Sequence, residues 1–130
     1  MRLDRPENPR KTAFRDGLRL ALRQCAAILL EGSYPRYLRL AMAADETEVL
    51  RVAVKSGHGG TCAMVAAYLS EAADQGILPP MDFTLQAEIL MGQVQANDFA
   101  RALAGIAPDP KRTGERVDQA VATFCREKLL

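Results

Sequence analysis

Apolar side chains recur along this chain at three- and four-residue intervals, the spacing that lays them down one side of a helix. Phe14, Leu18, Ala21, Leu22, Cys25, Ile28 and Leu29 form the first stripe, predicting a helix from near Thr12 until Glu31-Gly32-Ser33 ends it. Gly32 suits a left-handed C-terminal cap, and Ser33 is placed to cap a second helix. That shorter helix is predicted from Tyr34 to about Ala44, with Tyr34, Tyr37, Leu38, Ala41 and Met42 on its apolar side. The acidic stretch Asp45 to Glu48 suits a helix N-terminus. It predicts a third helix from Glu46 to Lys55 that uses Val49, Leu50, Val52 and Ala53.

Ser56-Gly-His-Gly-Gly60 then interrupts the pattern, so the next stripe, Cys62, Val65, Ala66, Leu69, Ala72 and Ala73, predicts a separate fourth helix from Thr61 to about Gln75. Gly76 stands where its C-terminal cap belongs, and Ile77-Leu-Pro-Pro80 is expected to be an extended connector. A fifth helix, capped by Asp82 or Thr84, is expected to run on to Ala104. Its Leu85, Ile89, Leu90, Met91, Val94, Phe99 and Leu103 wrap much of the circumference, as in a helix covered on two sides. After Gly105 to Pro110, a sixth helix from about Thr113 carries Val117, Ala120, Val121, Phe124 and Cys125. No strand-like alternation survives anywhere, so the expected fold is an all-α six-helix bundle. Pro6 and Pro9 make residues 1–11 an expected flexible leader, leaving 12–130 as one helical domain.

Composition narrows the function classes. Seventeen basic and sixteen acidic residues leave a formal charge of +1, which gives no global sign of a nucleic-acid or membrane-surface protein. No uninterrupted apolar run approaches the roughly 18 residues of a membrane span, and the polar, proline-containing N-terminus is no signal peptide. The three cysteines, Cys25, Cys62 and Cys125, are widely spaced and odd in number, the usage of reduced thiols in a cytoplasmic protein.

Four pieces in order, Met64-Val-Ala-Ala-Tyr-Leu69 with Ala72-Ala-Asp-Gln-Gly-Ile-Leu78, a proline connector, Ala87-Glu-Ile-Leu-Met-Gly-Gln93, and Arg116-Val-Asp-Gln-Ala-Val-Ala-Thr-Phe-Cys125, resemble the C-terminal regulatory domain of TetR-family transcriptional regulators, in particular the AefR-like branch. The resemblance spans about residues 13–127. It implies a non-enzymatic, cytoplasmic ligand-sensing domain that binds a small, largely apolar effector and needs no cofactor. It also implies a homodimer in which the last two helices meet their copies as a four-helix bundle. Family members open with a helix-turn-helix, and nothing before Phe14 is long enough to form one. DNA binding is therefore expected only through a domain not present in this chain.

The apolar fifth helix independently asks for cover that a single 130-residue chain has few helices left to provide. Met91, Phe99, Val117, Val121 and Phe124 are accordingly the expected dimer contacts. Cys25, Met42, Tyr68 and Met91 come from four helices and are the expected pocket walls, since methionine and cysteine adapt to varied ligands and a tyrosine hydroxyl can anchor a polar group. Plain core packing is the competing account for all four. His58 and Cys62 stand one turn apart and form the alternative site, that of a thiol- or metal-dependent sensor or enzyme, although zinc needs three or four ligands. A structural helical partner protein is a further alternative. The arginines Arg15, Arg19 and Arg23 stack along one face that either meets phosphate or is simply solvated.

Overall fold

The computed structural model describes residues 8–130, and among these the only regular elements are six helices. They are not quite the six that periodicity marks out. Helix α1 (Pro9–Leu30) begins three residues before Thr12, because Asn8 caps it, its side chain accepting from the Arg10 amide at 2.9 Å, and Pro9 occupies the first turn. Helix α6 (Pro110–Lys128) starts early by the same device, with Asp109 accepting from the Lys111 amide at 3.0 Å ahead of Pro110. In both places proline starts a helix rather than excluding one, since the amide it lacks is unpaired in the first turn anyway. The expected leader otherwise falls on residues 1–7, outside the described residues.

Helix α2 (Ser33–Ala43) comes after Gly32, whose φ of +74° lets the chain turn; Ser33 is its first residue and makes no capping bond. Helix α3 (Thr47–Asp74) corrects the largest expectation, for it runs unbroken through Ser56-Gly-His-Gly-Gly60 and fuses the predicted third and fourth helices. Glycine costs a helix interior about 1 kcal/mol relative to alanine, but α3 packs against α1, α2 and α4 and that tertiary contact outweighs the local preference. Its end matches expectation: Gly76, at φ +77°, directs its amide to Ala73 and that of Ile77 to Ala72, a Schellman cap.

The predicted fifth helix is two. Helix α4 (Phe83–Gln95), capped by Asp82 through the Leu85 amide at 3.0 Å, stops at Ala96, which takes a left-handed φ of +46°. Helix α5 (Asp98–Leu103) then follows, packed against α1 and α2. The apolar residues that would encircle one long helix are divided between two helices with different neighbours.

Helix α1 is the central element, packed against α3, α4 and α6. Leu18, Leu22, Cys25 and Leu29 from α1, Val65 and Leu69 from α3, Leu90, Met91 and Val94 from α4, and Val117 and Val121 from α6 form one hydrophobic core. Each fully buried aliphatic side chain contributes about 1.5–3 kcal/mol of transfer free energy. No described helix is long and apolar enough to cross a membrane.

Candidate functional site

The continuity of α3 places His58 mid-helix instead of in a loop, and the site builds outward from it. On α3, Gly57 leaves room for the Tyr34 ring from the start of α2; a Cβ there would collide with ring atoms. The Tyr34 hydroxyl lies 2.7 Å from His58 Nδ1 and donates to it when the neutral ring carries its proton on Nε2. Phe99 of α5 stands edge-on to the His58 ring, with centroids 4.3 Å apart and planes at 83°, and tilts against Tyr34 at 6.2 Å. Burial lowers the His58 pKa below its ordinary value, more than a side-chain hydrogen bond with Gln95 raises it. Burial likewise raises that of Tyr34, against the opposing influence of a hydrogen bond with His58. The junction of α2, α3 and α5 therefore holds a neutral imidazole between two aromatic rings, one of them a phenol within hydrogen-bonding distance.

Phe99 is held there through its neighbour. Asp98 is buried, and its carboxylate receives Arg116 Nη2 from α6, with Arg101 Nη1 3.6 Å from its other oxygen. Arg116 also donates from Nε to the Val94 carbonyl at 2.8 Å. One guanidinium thus ties the end of α4 and the start of α5 to α6.

The expected pocket walls do not converge. Cys25 and Met91 are core residues, the Cys25 thiol 3.9 Å from the Thr61 carbonyl. Met42 is exposed near the end of α2, a correction to the apolar-side assignment, because α2 turns a different face to α3. Tyr68 lines an opening, a groove of about 250 Å³ with Arg10, Phe14, Glu71 and Ile77, and its hydroxyl is already committed to the Phe14 carbonyl at 2.9 Å. Of the expected dimer contacts, Met91, Val117, Val121 and Phe124 are all buried inside one chain, where α6 closes over α1 and α4. They have no surface left to offer a second copy. Phe99 faces Tyr34 and His58 of its own chain.

The exposed apolar residues of α4 are instead Leu85 and Ile89, one turn apart and each nearly half exposed, with the exposed Gly92 beyond them. The arginine face of α1 meets protein: Arg19 pairs with Asp118 of α6 at 3.0 Å and with Asp16 at 3.1 Å, and Arg23 reaches Asp118 at 3.5 Å. Burial pushes the Cys25 thiol up to about 11, with Cys62 adding to the effect, and raises Cys62 as well, so both are protonated and poorly nucleophilic at neutral pH. Among the described residues no group of three or more His, Cys, Asp and Glu side chains is placed to hold a metal ion.

Sequence reasoning missed the pairing of Tyr34, His58 and Phe99 because a glycine-flanked histidine reads as a loop. The available signal was Gly57 itself, since a glycine inside a helix can mark a close approach as well as a break.

Residues 16–127 match the family model described as the C-terminal domain of AefR-like transcriptional repressors. The chain is also similar to a solved structure from Mesorhizobium loti MAFF303099 assigned to the TetR family of transcriptional regulators, with a TM-score of 0.75 at 20% identity over 93% of this chain. At that identity the likeness speaks to the fold, and the chain spans 65% of that protein's length. No curated protein matches.

Proposed function

Since the chain belongs to the family of AefR-like transcriptional repressor C-terminal domains, we propose that it is the ligand-sensing and dimerisation part of a cytoplasmic TetR-type regulator. Its effector is a small, largely apolar molecule, and the response is passed to a DNA-binding domain outside these residues. The observation that carries the ligand reading is the half-buried Tyr34–His58–Phe99 set, which offers hydrogen-bonding groups on an apolar wall where three helices meet. Ligand sites are commonly of this kind, mostly apolar with a few placed polar groups.

Effector binding acts as a population shift, favouring whichever packing of the helices accommodates the ligand. The Asp98–Arg116 pair gives that shift a path from the site to α6. For the subunit contact, the support is the outward face of α4, where Leu85 and Ile89 remain exposed although the rest of that helix's large apolar residues are covered. An isologous pairing of this face across a two-fold axis buries both residues twice.

Size-exclusion chromatography with light scattering at micromolar concentration tests the assembly, and a dimer is expected. A thermal-shift screen with apolar compounds tests the sensing role, with stabilisation by at least one of them in the wild type and its loss in His58→Leu as the expected result. A monomer that no apolar compound stabilises would remove the support for this reading.

A further inference from the structure

Phe99 owes its place to its neighbour Asp98, held by Arg116, and to little regular structure around it. It rides on α5, a helix of six residues, too short to persist by itself. The segment is entered through Ala96 at φ +46°, a conformation disfavoured for any residue bearing a Cβ, and left through Gly105 at φ +83°. Its ring is only partly buried, yet it takes the edge-to-face position on the imidazole that an incoming aromatic ring would seek. Tyr34 shows what else the imidazole accepts, since a phenolic hydroxyl already sits 2.7 Å from Nδ1.

We propose that Phe99 is an internal plug in the effector site, and that the effector is a small neutral aromatic molecule carrying a hydroxyl group, a phenol, whose ring replaces that of Phe99 against His58. The proposal rests on the effector-binding reading given above and adds its ligand class and its gate. Displacement of the ring replaces one aromatic contact by another, and the ligand hydroxyl accepts from His58 Nε2, the imidazole nitrogen that Tyr34 does not occupy. An aliphatic chain of equal size recovers neither the ring contact nor, lacking a hydroxyl, the hydrogen bond. Because the plug competes with the ligand, removing it raises apparent affinity by the reciprocal of the fraction of molecules it had left open.

The chain contains one histidine, so its imidazole Hε1 proton gives a single, assignable NMR signal. The experiment titrates 4-ethylphenol into the whole chain and follows that signal, with ethylbenzene and 1-hexanol as probes lacking the hydroxyl and the ring. Saturable movement with 4-ethylphenol is expected, weaker with either control, and Phe99→Leu is expected to tighten 4-ethylphenol binding by about tenfold. Phe99→Ala, with native helicity checked by circular dichroism, serves as a second variant should leucine repack the site. An unmoved His58 signal, or binding that weakens in both folded variants, overturns the proposal. If aliphatic compounds stabilise the chain while 4-ethylphenol leaves His58 untouched, the sensing role stands and the phenol plug falls.

Discussion

The Tyr34 hydroxyl and His58 Nδ1, 24 residues apart in sequence, meet at 2.7 Å where the start of α2 crosses the middle of α3. This contact exists because residue 57 has no side chain, and it helps to bury the protein's single imidazole and leave it a poor base.

Stability is expected to depend on the protonation of that ring. The folded protein binds the proton less well than the unfolded chain, whose histidine titrates near the ordinary value of 6.5. The contribution is therefore fully present above pH 6.5 and is lost as pH falls through that value towards the lowered folded pKa. Urea denaturation at several pH values should show this decline in the wild type and a shallower one in His58→Gln. Equal slopes for the two proteins would place the acid sensitivity elsewhere.

Two glycines of α3 should respond oppositely to alanine. At Gly57 a Cβ runs into the Tyr34 ring, so Gly57→Ala is expected to cost about 1–3 kcal/mol and to disturb the His58 NMR signal. At Gly60 a Cβ meets nothing within 4 Å, and Gly60→Ala should stabilise by about 0.5–1 kcal/mol through helix propensity alone. Thermal melts of both variants decide it; the same sign in both would mean that α3 is not a continuous helix through this stretch.

Removing Asp98 leaves the mostly covered Arg116 without its carboxylate. Breaking a buried pair from one side costs about 3 kcal/mol, and that is the expected loss for Asp98→Ala in chemical denaturation, since the Asp98 side chain is 8% exposed and that of Arg116 19%. The exposed Glu48–Arg51 pair is the control: Glu48→Ala should change stability by no more than about 0.5 kcal/mol.

Core and interface should separate cleanly. Val121→Ala opens a cavity beneath α6 and is expected to cost about 2 kcal/mol without altering the oligomeric state. Leu85→Glu with Ile89→Glu should leave the fold intact, since both side chains face outward, and yield a monomer by light scattering. A monomer from Val121→Ala and a dimer from the double variant would restore the α6 residues as the subunit contact.

Apolar periodicity was enough to specify an all-helical chain and most of its core, because burial on one face imposes the three- and four-residue spacing that Leu18, Leu22, Cys25 and Leu29 display. It also located the α3 terminus at Gly76, where the need for a positive φ is a local matter. What periodicity could not do was decide among outcomes of similar local cost. Gly57, Gly59 and Gly60 suit a loop or a weak helix equally well, and packing of α3 against its neighbours chose the helix. Residues 82–104 read as one continuous helix, and the chain instead breaks at Ala96, where the left-handed residue accompanies a buried Asp98–Arg116 pair and a Phe99 ring against His58. Asp98 and Arg116 lie 18 residues apart on different helices, and Phe99 and His58 further still, beyond the reach of any helical repeat. Only the assembled fold could therefore turn Val121 inward to its own core and leave Leu85 and Ile89 exposed.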